Sequence, residues 1–181
     1  YVVIGSSVND PAGVVESYTP LKGSTITASG YFVFAKSSFN LAPANLVLPA
    51  NGFQFGSNGN KTHLLVWNPE TLRGEDLDSE NDCELDRPGW VSIIDQLALV
   101  GLSTTECVYA EPLLGPDGAF LPAHFYRCPD TDEWFVGVFG NFEKDTPGEE
   151  NDTCKVIEDP REVTLAQWTF EATQPNNAGP H

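Results

Sequence analysis

The apolar residues of this chain come in short bursts, each cut off by asparagine, glycine or proline, and that rhythm limits the fold more than any other feature. Residues 62–67 (THLLVW) stop at Asn68-Pro69, residues 31–35 (YFVFA) follow Ala28-Ser29-Gly30, and the apolar run 91–100 stops at Gly101. Bursts of β-branched and aromatic residues bounded by turn formers read as strands. Only residues 91–100 allow a second period, since Ile94, Leu97, Ala98 and Gly101 could share a helical face. Their β-branched content and flanking turns favour a strand.

The same reading places strand material at residues 1–4, a turn at Asn9-Asp10-Pro11-Ala12-Gly13, and edge strands at 14–18 and 25–27 around Pro20 and Gly23. A buried strand is expected at 31–35, a short one at 46–48 and an edge at 53–55 after Asn51-Gly52. Further strands are expected at 120–127 and 134–139. In the last, Trp134, Val136 and Val138 alternate with Phe135, Gly137 and Phe139, so both faces are apolar and one of them meets a second sheet or a partner. The chain is therefore expected to be all-β, with Phe32, Leu65, Ile94 and Val136 in two facing layers. At 181 residues one core is favoured. The domain spans residues 1–150, and the solvated break at Glu149-Glu150-Asn151-Asp152 leads into residues 151–181, a linker and a C-terminal strand at 163–170.

Charge narrows the partners. Nine basic against twenty-six acidic residues give a formal charge of -17, which repels nucleic acid and anionic membranes and attracts divalent cations. No apolar run is long enough for a helical membrane span, and no signal peptide stands at Tyr1, as in a mature or excised segment. Cys83, Cys107, Cys128 and Cys154 form no CxxC pair, so structural disulfides fit better than zinc or redox chemistry. Three complete pairings exist; Cys83 with Cys107 and Cys128 with Cys154 is the expected one. Disulfides imply a secreted, extracellular or cell-surface protein, the alternative being buried thiols in a cytosolic one. Two sequons, at Asn60 and Asn151, are expected on loops open to glycosylation.

The stretch from Glu75 to Asp86 sets acidic residues at alternate positions. Asp76, Asp78, Glu80, Asp82, Glu84 and Asp86 could turn oxygen ligands toward one structural Ca2+, with backbone carbonyls and water completing the shell. The pattern is no EF-hand, since it lacks the glycine at position 6 and places Arg87 at position 12. The alternative is an acidic surface loop that only solubilises the chain. Catalytic constellations are sparse. His63 lies in a strand, His181 ends the chain, and His124 has Asp117 and Asp130 nearby but no nucleophile in a recognisable elbow. No HExxH, phosphate-binding or dinucleotide motif is present. An enzyme is not the expected class.

Several of these stretches, taken in order, resemble the lamin tail domain family. The carriers are residues 18–35 (YTPLKGSTITASGYFVFA), Asn58-Gly59-Asn60 with the strand at 62–67, Ile94-Asp95-Gln96-Leu97-Ala98-Leu99, and Arg127-Cys128-Pro129-Asp130 followed by Trp134 and Thr146-Pro147-Gly148. The resemblance covers residues 1–150 and is nearest to versions in large secreted microbial proteins. It implies an immunoglobulin-like β-sandwich with long loops. Where such relatives carry Asn-Asp-Asp-Gly, this chain has Glu80-Asn81-Asp82-Cys83. A complete member has two further strands upstream, whose absence would leave an edge open. The implied role is a non-catalytic structural, adhesion or assembly module. It would pair with copies of itself or another cell-surface protein, and could form a filament by strand addition through residues 163–170. The alternative is an accessory targeting domain excised from a secreted nuclease-like or phosphatase-like hydrolase.

Overall fold

A computed structural model describes residues 1–7, 10–52, 58–103, 105–137 and 145–151. Its regular elements are all strands: β1 (Val2–Ser7), β2 (Asp10–Tyr18), β3 (Phe34–Lys36), β4 (Leu46–Leu48), β5 (Lys61–Trp67), β6 (Ser92–Leu99), β7 (Leu113–Leu114), β8 (Phe125–Arg127) and β9 (Trp134–Val136). Five of them form one mixed sheet in the order β2-β1-β5-β6-β7, antiparallel except for the parallel β6–β7 pair. β3 and β4 form a parallel pair, and β8 and β9 an antiparallel one.

The main sheet is covered on both faces, which explains why its strands lack clean alternation. On the first face Val2, Ile4, Val15, Leu64 and Val66 pack beneath Leu77 and Ala110, with Leu85, Trp90 and Tyr109 adding cover. On the second, Leu97, Leu99 and Leu114 pack against Val136, Phe125 and Trp134 of the β8–β9 hairpin. A strand enclosed on both sides needs apolar residues at successive positions, and Val2, Val3 and Ile4 supply them, all essentially inaccessible to solvent.

β5 opens with a charge inside the protein. Lys61 is only 1% exposed; its Nζ lies 3.0 Å from Glu16 Oε1 and donates to Asn58 O. Gly5, the Cα partner of Lys61 in β1, makes the space, since a Cβ there would fall 1.9 Å from Glu16 Oε1. The cationic side chain is held by a carboxylate and a carbonyl, as a buried ammonium requires.

Several expectations are corrected. Asp10-Pro11-Ala12-Gly13 is not a turn but the first half of β2. Pro11 and Gly13 fall where the β1–β2 register shifts, between the Ser7–Asp10 and Gly5–Val14 partners, so neither holds a regular ladder position and Gly13 adopts φ 79°. Residues 25–27 form no strand, and of residues 31–35 only Phe34 and Ala35 enter one. Of the four expected core markers Val136 is buried in the second-face cluster, whereas Phe32 and Leu65 are half-buried and Ile94 is 59% exposed; Leu64 and Leu97 take the core places expected of Leu65 and Ile94. Residues 120–127 narrow to β8, with Phe120 exposed. β7 was not expected. Residues 53–55, 138–139 and 163–170, expected as strand material, lie outside the described residues.

Candidate functional site

The acidic stretch is closely bonded, both within itself and to the main sheet. Residues 68–91 leave β5, and Leu77 and Leu85 reach the first-face core. Between them Asp78 is completely buried. Its carboxylate accepts from Asp82 N at 3.0 Å, Cys83 N at 3.1 Å and the Tyr109 hydroxyl at 2.6 Å. Three donors on one carboxylate satisfy the charge where water cannot. Burial, the bond to Asp78, and the charges of Asp78, Asp76 and Asp82 hold the Tyr109 phenol protonated far above its ordinary range.

The other expected calcium donors have separate work. Asp76 accepts from Asp78 N at 3.1 Å and Asp82 from Glu84 N at 3.0 Å, each bonding the backbone two residues on. Asp86 accepts from Ser79 N and Oγ at 2.8 and 2.6 Å, and these bonds pull its pKa down. Glu80 and Glu84 are exposed. The structure thus gathers Asp76, Asp78 and Asp82 near Tyr109 and leaves Glu80, Glu84 and Asp86 apart. Among the described residues no group of three or more His, Cys, Asp or Glu side chains is arranged to hold a metal ion.

The loop is also bolted down covalently. Cys83 and Cys107 are joined by a disulfide, and Cys107 N donates to Ser6 Oγ at 2.9 Å, tying the far end to β1. Cys128 is disulfide-bonded as well; its expected partner, Cys154, lies outside the described residues. Gly13 lets the loop seat, because a Cβ at that position would fall 2.5 Å from Asp78 Cβ. Tyr109 and Gly13 carried no signal in the sequence, since their roles depend on contacts across the fold.

A second feature lies where β5 ends. Leu65 and Trp67 alternate with the buried Leu64 and Val66 and so point to the opposite side of β5. With Tyr1, Tyr18 and Ile94 they line a cleft of about 550 Å³. Trp67 is 64% exposed.

The histidines act inside the fold. His63 is buried on the second face, bonded through Nδ1 to the Tyr1 hydroxyl and set edge-on to Phe125 at 5.9 Å. Burial, with the Lys61 charge adding to it, pushes its pKa down to about 4, so the ring is neutral near pH 7. His124 pairs with Asp145, at 3.0 Å, rather than with Asp117 or Asp130. Arg127 binds Asp132 through Nε and Nη2 at 2.8 and 2.9 Å and lies over Trp134, which stiffens the β8–β9 hairpin.

The two sequons differ from the expected open loops. Asn60 is 3% exposed; its Nδ2 donates to Glu106 O at 3.0 Å and its Oδ1 accepts from Gly101 N at 2.9 Å. Asn60 does lie in the loop before β5, but the amide a glycan would use is bonded inside the protein. Asn151 is half-buried and donates to Arg127 O at 2.8 Å. No protein-family model matches the chain, and no curated protein or solved structure matches it either.

Proposed function

We propose that this chain is a non-catalytic extracellular module of structural, adhesion or assembly type, an immunoglobulin-like sandwich of the lamin-tail kind. The observation that carries the reading is the distribution of surface. The buried and half-buried polar groups Lys61, Glu16, Asp78, His124 and Asp145 are engaged inside the protein, whereas residues 20–52 include not one buried side chain despite Tyr31, Phe32, Val33, Phe34, Leu46, Val47 and Leu48. Apolar surface left open beside engaged charges suits recognition better than bond-making chemistry. The Cys83–Cys107 bridge favours an oxidising compartment. Packing of the β8–β9 hairpin on the main sheet supplies the second layer that a sandwich requires.

Assembly proceeds by strand addition. β3 and β4 pair with each other and with no further strand among the described residues, and a two-stranded ribbon gains stability from a third strand. Residues 163–170 of a neighbouring copy are the proposed donor, onto the β4 edge. Sedimentation of the full chain over a concentration series tests this. Self-association that Val47→Lys and Trp168→Asp each weaken at least tenfold is the expected result, and a monomer at every concentration would refute it.

A further inference from the structure

The outer edge of β2 is already bonded from within the chain by residues 74–77, which form an isolated bridge rather than a full strand. Gly74 N donates to Val15 O at 2.8 Å, Val15 N to Glu75 O at 2.8 Å and Leu77 N to Gly13 O at 3.1 Å, with Val14 and Asp76 as an antiparallel bridge. Asn81 Oδ1 extends the contact by accepting from Ala12 N at 2.8 Å. The added piece brings its own anchors: Leu77 enters the core, and Asp78 takes the Tyr109 hydroxyl. These are the features of strand addition: main-chain bonds for affinity and side-chain pockets for register.

The piece is delivered by a long excursion. β5 and β6 are neighbours, yet the connection between them reaches β2, two strands beyond β5, before it returns. Asn68-Pro69 and Pro88-Gly89 flank the excursion, with Asn68 at φ 51°. The disulfide from Cys83 to Cys107 is the covalent hold on it.

We propose that the β2 edge is a strand-exchange surface whose partner is residues 74–78 of a second copy of this chain, and that the Cys83–Cys107 disulfide keeps the segment at home. Exchange remakes between molecules every bond it breaks within one, including Leu77 in the core and Asp78 on Tyr109. Its balance is therefore set by concentration and by the freedom of the connection rather than by new contacts. The site is separate from the proposed β4 edge and does not depend on it. Two acidic segments must pass each other during exchange, so added salt speeds it.

Opening the latch is a two-electron step. A dithiol reductant gives two electrons and two protons, the Cys83–Cys107 bond becomes two thiols, and the reductant closes its own disulfide. Glutathione disulfide later accepts the electrons and protons, and the bond re-forms with whichever Cys107 lies beneath the seated segment.

The test uses full-length chain. Equal amounts of unlabelled and nitrogen-15-labelled protein are mixed while oxidised, reduced with dithiothreitol at high concentration, reoxidised with glutathione disulfide, digested and examined by mass spectrometry. The proposal expects Cys83–Cys107 peptide pairs of mixed label, approaching about half of all such pairs at the statistical limit of free exchange, and few in a sample never reduced. The same experiment on Val47→Lys gives the same share. Same-label pairs alone would overturn the proposal, as would mixed-label Cys83–Cys83 pairs at equal abundance, the mark of random reoxidation.

Discussion

The acidic loop at 71–91 and the apolar segment at 20–52 exchange the roles that their compositions suggest. The first contains seven acidic residues by sequence yet buries Thr71, Leu77 and Asp78 and is fixed by a disulfide. The second carries a run of aromatic and β-branched residues yet buries none of its side chains. What separates them is reach. The acidic loop is anchored at both ends in the central strands β5 and β6 and crosses a face that needs cover. The apolar segment hangs outside the sheet, held by a three-residue parallel ribbon and contacts such as Tyr1 against Phe34 at 5.3 Å. Location relative to the main sheet, rather than hydropathy, decides which segment becomes core.

Substitutions can break that contrast. Asp78→Ala leaves the Tyr109 hydroxyl and two backbone amides without their acceptor in a buried place, and is expected to cost about 4 kcal/mol in chemical denaturation. Phe32→Ala, the larger change by volume, is expected to cost under about 1 kcal/mol because its site is half-open. A reversal of that order would refute the contrast. Paired replacement of Cys83 and Cys107 by serine removes a cross-link over 24 residues, with an expected loss of about 3 kcal/mol.

Acid sharpens the picture of the second face. His63 has a folded-state pKa of about 4, below its unfolded value near 6.5, so protons bind preferentially to the unfolded chain. Its contribution is complete above about pH 6.5, falls as pH drops toward 4, and amounts to about 3 kcal/mol at most. His63→Gln should flatten that limb of the stability profile, measured by denaturation from pH 7 to 4. An unchanged slope would place His63 in solvent. The smallest effect is expected from a chelator. Because Asp76, Asp78, Asp82 and Asp86 accept hydrogen bonds within the loop, EDTA should move the melting temperature by less than about 1 °C, whereas a loss of several degrees would return them to a cation.

Much of the main sheet was legible because its strands are bounded by strong turn signals: β5 by Asn68-Pro69, β6 by Gly101, and β1 by its own β-branched run. β2 was half-missed, since Pro11 and Gly13 are turn formers whose strand role depends on an irregular edge ladder. β7 was invisible because two residues carry no period. The acidic stretch announced itself, but alternation of carboxylates is common to an ion cage and to a loop that bonds its own amides. The Tyr109 bond and the close approach at Gly13 that seat Asp78 come from positions distant in sequence. The Cys83–Cys107 bridge was the pairing expected from the sequence, and the fold forms it.

The central claim is that the acidic loop belongs to the stable body of the protein. Amide hydrogen exchange on the oxidised chain tests it most directly, through Val15 and Leu77, which donate across the loop contact, and Asp82 and Cys83, which donate to Asp78. Protection within about tenfold of the β1 amides, with Ser24 and Gly30 exchanging far faster, is the predicted result. Val15, Leu77, Asp82 and Cys83 exchanging as fast as Ser24 would contradict it.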